Sequence, residues 1–262
     1  MMNRLWRDVR WTLYPGARFF LDDVRFCTTP WVLGRVACMG LDVYRLLNPA
    51  TRLINVQKGR VDYLVDVALE AGSRARASQV APFMRRQDII PLVVQQQRRR
   101  WLRSRPPRAL LMDSFSELTD QLFEHRREGW RFCCNYADLS HGPELERTFE
   151  AKGLLPPDEL YDRYRRFFEF IRQRWGEIPI VFLHFPVTLE KREKFKNRYQ
   201  NIAEAISRVG NEFSHFHSIA VDEAIVDWPE KRHPDLEDFP YHFNNRTYEV
   251  LAGQVRAIGI FG

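Results

Sequence analysis

The sequence predicts an α/β protein with three layers, in which helices cover both faces of a mainly parallel sheet. Short apolar runs that close on turn residues alternate with longer amphipathic stretches, which is the pattern of strand–helix–strand units. The chain has 262 residues, of which 45% are hydrophobic and 13% aromatic, enough apolar material for a substantial core. This composition excludes a disordered chain.

Six apolar runs predict the strands. Four of them are short, continuous and closed by a turn residue: residues 35–40, 53–56, 108–112 and 178–185. Weaker strand patterns cover residues 130–134 and 215–221. We expect the first four to be neighbouring parallel strands whose carboxyl ends share one edge of the sheet.

Amphipathic periodicity predicts the helices between these strands. They cover residues 61–70, 91–103, 115–128, 158–175, 189–209 and 245–258. In residues 158–175 the apolar side chains recur at helical spacing and arginines fill the other face; the apolar set is Leu160, Tyr164, Phe167, Phe168 and Ile171. No repeat or flexible linker divides the chain, so we expect a basic, aromatic N-terminal extension over residues 1–34 and one α/β domain over residues 35–262.

Charge and hydropathy narrow the classes of partner. The net charge of +6 permits acidic ligands without requiring nucleic acid, and we do not expect nucleic-acid binding. No apolar run approaches the roughly 20 residues of a membrane span. The N-terminal segment, with Arg4, Arg7 and Arg10 among Trp6 and Trp11, is expected to pack on the core, and peripheral contact with a membrane surface stays open.

Cysteine usage indicates the compartment. Cys27, Cys38, Cys133 and Cys134 are too few and too irregularly spaced for a disulfide framework or a zinc site, so a reducing cytoplasm is expected. His215 and His217 alternate along a strand, but no third ligand is spaced to complete a metal site. We therefore expect no metal and no other cofactor.

Ligands of open α/β sheets bind beyond the carboxyl ends of the strands, so the residues after each run are the candidates. These segments are residues 40–42, 55–59, 113–117, 184–188 and 238–242.

The C-terminal segment resembles the last block of the SGNH (GDSL-type) hydrolase superfamily. In that block an acid and a histidine in a DxxH loop precede a helix with a Leu-Ala pair, and His242, Asn244, Tyr248, Leu251 and Ala252 match it. Phe239 occupies the place of the acid, and Asp238 lies one residue earlier. Residues 53–59 resemble the second block, whose glycine lends a backbone N–H to the oxyanion hole. The blocks together span residues 35–258 and imply an SGNH-like, flavodoxin-like fold.

The nucleophile departs from the family pattern, which places serine directly after the first strand in a Gly-Asp-Ser sequence. With Gly40 as the first block the whole chain is explained, but the serine is missing; with Met112-Asp113-Ser114 as that block the serine is present, but over a hundred residues precede it. We favour the Gly40 frame because strand order is the stronger constraint.

The resemblance implies a role for each candidate residue. His242 would be the general base, Asp238 the acid that orients it, and Ser114 or Asp42 the nucleophile. Oxyanion or substrate contacts are assigned to Gly40, Asn55, Gly59 and Asp113.

Structural roles compete with these assignments. Asp113 and Ser114 could only cap the helix that follows, and Asp42 could cap a helix beginning at Val43. His184 lies inside an apolar strand and is expected to be a core histidine. An arginine-rich stretch, residues 98–108, could grip phosphate or an acidic sugar, or form a solvated helix face.

The leading hypothesis is an ester-chemistry enzyme, an acyl hydrolase or O-acyltransferase, acting on a small-molecule or glycan substrate such as a polysaccharide precursor. The alternative is a catalytically degenerate SGNH-like domain that binds a glycan or a partner protein.

Overall fold

The computed structural model describes residues 30–70, 74–103, 105–230 and 240–261. The extension predicted over residues 1–34 therefore falls mostly outside the described residues. The boundary predicted after residue 34 falls inside a strand, because β1 spans Trp31–Arg35 and all five of its residues are buried in the core.

A five-stranded parallel sheet forms the centre of the protein, with the order β2-β1-β3-β7-β8. Its strands are β1 (Trp31–Arg35), β2 (Arg52–Asn55), β3 (Leu110–Asp113), β7 (Ile180–Leu183) and β8 (Phe216–Ile219). Numbered within this sheet alone, the order is 2-1-3-4-5, that of the flavodoxin-like doubly wound folds. The predicted fold class is confirmed.

Helices cover both faces of this sheet. The helices of the described residues are α1 (Cys38–Leu47), α2 (Val61–Leu69), α3 (Ala77–Val80), α4 (Ile90–Gln96), α5 (Phe115–Thr119), α6 (Pro143–Thr148), α7 (Leu160–Trp175), α8 (Glu193–Gly210) and α9 (Asn245–Ala257). Of these, α3, α4 and α6 contribute to a separate core cluster and not to the layers of the central sheet. Helix α1 packs with α9, whereas α2 and α8 both pack with α7, which gives the three layers. The five apolar residues predicted for α7 are all buried, as expected.

A second, antiparallel sheet of order β5-β4-β6 was not predicted. It comprises β4 (Asp120–His125), β5 (Arg131–Asn135) and β6 (Phe149–Gly153). Its aromatic residues pack with apolar residues of α3 and α4 in a separate core cluster. The strand predicted at residues 130–134 is therefore real but belongs to this sheet.

Two predicted elements are wrong. Residues 35–40 are not a strand: β1 ends at Arg35 and α1 begins at Cys38, because the preceding Trp31, Val32 and Leu33 supply the buried strand. The helix predicted over residues 115–128 ends at Thr119, where the chain turns into β4 and pairs on both sides with β5 and β6. Tertiary pairing overrides helix propensity there.

Gly40 lies in the first turn of α1 rather than at a strand end, and its packing explains the glycine. A Cβ atom there would lie 2.5 Å from the Cβ of Val36 and 3.0 Å from Oδ2 of Asp113. Val36 is buried and β-branched, so it has little freedom to move aside.

We expect Gly40→Ala to reduce the free energy of unfolding by about 1–3 kcal/mol through overpacking, measured by urea denaturation. Gly253→Ala in α9 is the matched control, because a Cβ atom there meets no heavy atom within 4 Å. That variant should gain about 0.5–1 kcal/mol from helix propensity. Equal effects of the two substitutions would contradict this account of Gly40.

Candidate functional site

The carboxyl ends of the five parallel strands form one edge of the central sheet, here called the carboxyl edge. Ligands of doubly wound folds bind at this edge. Seven of the eight predicted site residues lie in its strand ends, loops and adjoining helix, and Asp238 lies outside the described residues.

The turn after β1 contains no serine. The SGNH pattern places its serine directly after the first strand, whereas here β1 ends at Arg35 and is followed by Val36. Val36 is 1% exposed and has no nucleophilic atom in its side chain. Gly40, the residue chosen as the first block from the sequence, lies five residues after the end of β1.

Two predicted oxyanion residues hold this turn in place. The Asn55 side chain accepts a hydrogen bond from the Val36 N–H (3.0 Å) and donates to the Val36 carbonyl (2.9 Å). Asp113 Oδ2 accepts from the Ala37 N–H at 2.6 Å, and Asp113 Oδ1 accepts from the Phe115 N–H at 3.1 Å. Asp113 thus satisfies the first N–H of α5. This is the structural role that the sequence analysis gave as the alternative to an oxyanion or substrate contact. Burial raises the pKa of Asp113 to about 7, against the opposing effect of Arg35.

A buried ion pair behind the turn joins β1 to α5. Arg35 forms two parallel contacts with Glu117, Nη1 to Oε1 at 3.0 Å and Nη2 to Oε2 at 2.7 Å, and both side chains are fully buried. Glu117 also accepts hydrogen bonds from the Val61 N–H (2.9 Å) and the Tyr164 hydroxyl (2.8 Å). Arg35 is therefore a structural cation that fixes the end of β1 to α5.

Ser114 lies at the end of β3, fully buried. Its Oγ accepts a hydrogen bond from the Phe185 N–H at 2.9 Å, which ties β3 to the segment after β7. A nucleophile must be reachable by its substrate, so this placement supports a positioning role for Ser114.

Gly59 also has a structural part. Its N–H donates to the Val56 carbonyl at 3.3 Å, so the backbone donor assigned to the oxyanion hole already has a partner. A Cβ atom at Gly59 would lie 2.6 Å from Cδ2 of Leu64, which explains the glycine at this close approach.

His242 is half-buried in the loop before α9, and Asp42 projects from α1. The cap role considered for Asp42 is wrong, because α1 begins four residues earlier at Cys38. Burial lowers the pKa of His242 below its ordinary value; Asp42 opposes this shift and Arg86 adds to it. This shift favours the neutral imidazole, the form that can accept a proton.

The neighbours of His242 hold its loop in place. The Tyr241 hydroxyl donates to Glu190 Oε2 at 2.6 Å, and the Phe243 N–H donates to the Tyr248 hydroxyl at 3.0 Å. The Cys38 thiol donates to the Tyr241 carbonyl at 3.7 Å, and burial raises the pKa of this thiol to about 12. Cys38 is thus a protonated thiol at neutral pH and not an activated nucleophile.

A second buried charge cluster links the two sheets beside the carboxyl edge. Lys58 Nζ donates to Asp138 Oδ2 at 2.7 Å and lies 3.6 Å from Asp120 Oδ1. Burial raises the pKa of Asp120 to about 6, and Lys58 opposes that rise. Arg86 Nη1 lies 3.7 Å from Asp138 Oδ1, which brings its charge into the same cluster.

Sequence reasoning missed Arg35, Asp120 and Asp138, and it placed Lys58 and Glu117 in candidate segments without predicting that they are buried ion-pair partners. The available signal was a charged residue inside or directly after an apolar run, as in Trp31-Val-Leu-Gly-Arg35. Charged residues are almost never fully buried without partners, so such positions indicate ion pairs. Their partners lie up to 82 residues away and have no signature in the sequence.

His184 has a structural role. His184, 6% exposed at the end of β7, contacts the Ser218 hydroxyl through Nε2 at 2.8 Å, as expected of a core histidine. Burial lowers its pKa to about 4. Within the described ranges, no group of three or more His, Cys, Asp or Glu side chains could hold a metal ion, and no helix is long and apolar enough to cross a membrane.

No protein-family model matches the chain, and no curated protein matches it. The solved structures that are similar to it include the following three. The salicylyl-acyltransferase SsfX3 from a tetracycline biosynthetic pathway is 12% identical, with a TM-score of 0.45, over 88% of this chain and 54% of that one. The acetyl xylan esterase Est2A from the rumen bacterium Butyrivibrio proteoclasticus is 11% identical, with a TM-score of 0.38, over 89% of this chain and 61% of that one.

The third is a carbohydrate esterase family 2 enzyme with a carbohydrate-binding domain from Corynascus thermopiles (Myceliophthora fergusii). It is 13% identical, with a TM-score of 0.36, over 87% of this chain and 65% of that one. The chain thus spans 54% to 65% of the length of these three structures.

The electrostatic environment of His242 gives a prediction that needs no substrate. Removing the cation in Arg86→Gln should raise the pKa of His242, and removing the anion in Asp42→Asn should lower it. The pKa is measured by NMR titration of the imidazole Cε1–H. Arg127→Gln, an exposed arginine between β4 and β5, is the control and should leave the titration unchanged. Shifts of the same sign in both test variants would contradict this description of the site.

Proposed function

We propose that the chain is an SGNH-like ester-chemistry enzyme, an acyl hydrolase or O-acyltransferase, in which His242 is the general base. The observation that carries the proposal is the place of His242, a half-buried imidazole at the carboxyl edge within electrostatic range of Asp42 and Arg86. Asp42 takes the role of orienting acid, and the earlier candidate, Asp238, competes with it for that role. The fold and the resemblance of residues 238–252 support the assignment to this superfamily.

The attacking oxygen in this mechanism comes from the substrate or from water, because Val36 and not a serine directly follows β1. His242 accepts the proton of that hydroxyl as its oxygen bonds to the acyl carbonyl carbon. The tetrahedral intermediate then collapses, the bond from carbon to the leaving group breaks, and the imidazolium returns its proton to the leaving atom. No bond forms between the acyl group and the protein.

The start of α1 is the proposed oxyanion site. This helix has no side-chain cap at Ala37, so the N–H groups at its start and the positive end of its dipole are candidates for stabilising the developing negative charge. Gly40 is buried in this turn, where the absence of a side chain lets α1 pack closely on Val36.

A carbohydrate is the proposed substrate class. Tyr136, 45% exposed, stacks on His141 with ring centroids 4.1 Å apart. The 3-10 turn that Tyr136 begins also contains Asp138, the partner of Lys58. An exposed, braced aromatic ring next to buried charges suits a ligand with both apolar faces and hydroxyl groups. A small-molecule or glycan partner fits this arrangement better than nucleic acid.

A degenerate binding domain is the second candidate, and one observation favours it. Val36 and not a serine directly follows β1, and both Arg35 and Val36 serve the core. In that case the carboxyl edge would bind a glycan or a partner protein without turning it over.

Turnover of acetylated oligosaccharides and 4-nitrophenyl acyl esters, with and without sugar acceptors, tests the proposal. His242→Gln should lower kcat by roughly 10²–10⁴, the usual contribution of a positioned general base. His215→Gln, an exposed histidine at the other end of β8, is the matched control and should retain full activity.

Ser114→Ala distinguishes attack by the Ser114 hydroxyl from attack by a hydroxyl of the substrate or by water. It should retain most activity if the substrate supplies the attacking oxygen. Loss of activity in this variant, together with phosphonate labelling of Ser114 in the parent chain, would contradict the mechanism proposed here. Binding of glycans with no turnover of any ester would favour the degenerate domain.

A further inference from the structure

An arginine-lined cavity of about 480 Å³ lies away from the carboxyl edge, where two segments of the chain meet. One segment is residues 74–76, and the other runs from α4 into the arginine-rich stretch. The polar residues that line the cavity are Arg74, Arg76, Gln97, Arg98 and Arg99. Sequence reasoning singled out only the second segment.

The two segments are fixed to each other, so the cavity is a built feature. Gln97 is 3% exposed, and its Oε1 accepts a hydrogen bond from the Ala75 N–H at 2.7 Å. Its Nε2 donates to the Val93 carbonyl at 3.2 Å within its own segment. Both polar atoms of Gln97 are therefore used to hold the walls, which leaves the arginines to meet a ligand.

Helix α2 separates this cavity from the candidate site. The Val61 N–H at the start of α2 donates to Glu117 at the carboxyl edge. Near the other end of the helix, Arg99 Nε donates to the Val67 carbonyl at 2.8 Å. Six residues of helix, about 9 Å of rise, lie between these contacts.

Three of the lining arginines are not neutralised by a neighbouring acid. No acidic residue lines the cavity, and within the described ranges Arg74, Arg76 and Arg99 form no ion pair. Arg99 Nη2 is buried and has no hydrogen-bond partner there. Arg131, by contrast, pairs with Asp66 at 3.1 Å and with Glu70 at 3.0 Å. The nearby carboxylates of Asp66 and Glu70 therefore pair with Arg131 and not with the arginines of the cavity.

We propose that this cavity binds a small molecule through a phosphate group. A guanidinium fork matches two phosphate oxygens, and several unneutralised arginines suit a dianion better than a single carboxylate. The volume falls in the range of small-molecule sites. Asp66 and Glu70, which line the adjoining pocket with Arg74, interrupt the basic surface and would repel an extended polyanion.

Calorimetric titration of the full chain with glucose 6-phosphate, inorganic phosphate and glucose tests this inference. Glucose 6-phosphate should bind, and Arg74→Gln/Arg76→Gln should weaken it about ten-fold or more, since two charge-assisted contacts are lost. Glucose should not bind. Both substituted residues are exposed, so the variant should fold like the parent, as checked by its thermal unfolding midpoint. Arg99→Gln adds a test of the half-buried guanidinium.

Two controls separate the cavity from other sites. Arg208→Gln removes an exposed arginine of α8 outside the cavity and should bind as the parent does. His242→Gln should also bind glucose 6-phosphate normally, so failure of the ester mechanism leaves this inference intact.

The ligand series defines what the cavity recognises. Tighter binding of glucose 6-phosphate than of inorganic phosphate would show that the sugar contributes to binding. Equal binding would show that the cavity recognises the phosphate group alone. Absence of binding by either phosphate, unchanged binding in the arginine variants, or tighter binding of a single-stranded RNA that the same variants abolish would overturn the proposal.

Discussion

The bidentate ion pair between Arg35 and Glu117 is the interaction on which the carboxyl edge depends. Both side chains have zero exposure, so each charge would be strongly unfavourable without the other. Arg35 Nη2 also donates to the Asp113 carbonyl at 2.6 Å and Nη1 to the Gly59 carbonyl at 3.4 Å. One guanidinium thus joins the end of β1 to the end of β3, to the loop after β2 and to α5. Burial disfavours its charge, but Glu117 and Asp113 outweigh that effect and hold the pKa of Arg35 above its ordinary value.

This scaffold decides which residues are available for chemistry. Asn55 and Asp113, both suited by type to a catalytic role, have their oxygens bonded to backbone N–H groups around the β1 turn. Ser114 is committed to the Phe185 N–H. His242 differs from these groups, because it is half-buried and close enough to Asp42 and Arg86 for both charges to act on its pKa. Within the described residues, the chemistry proposed for this edge therefore depends on the histidine and on the hydroxyl of a substrate or a water molecule.

The sequence was sufficient for the features that depend on local pattern. Continuous apolar runs identified β2, β3 and β7, and helical periodicity identified the buried side of α7 residue by residue. The second sheet could not be predicted, because β4 follows α5 without a turn signal and gains its stability from pairing with β5 and β6. The first strand was predicted at residues 35–40, about four residues after its true position. The first turn of α1 is as apolar as β1, so the local pattern did not separate the helix from the strand. The buried ion pairs join residues that are distant in the chain, and no spacing rule links them.

A double-mutant cycle on Arg35 and Glu117 tests the central claim most directly. The free energy of unfolding is measured by denaturant titration for Arg35→Met, Glu117→Gln and the double variant. Each single variant leaves a buried charge or an unmatched polar group and should lose about 3–5 kcal/mol. The double variant should lose clearly less than the sum, with a coupling above about 1 kcal/mol. Losses that add to within about 0.5 kcal/mol would show that the two side chains act independently and would contradict the claim that this pair organises the carboxyl edge.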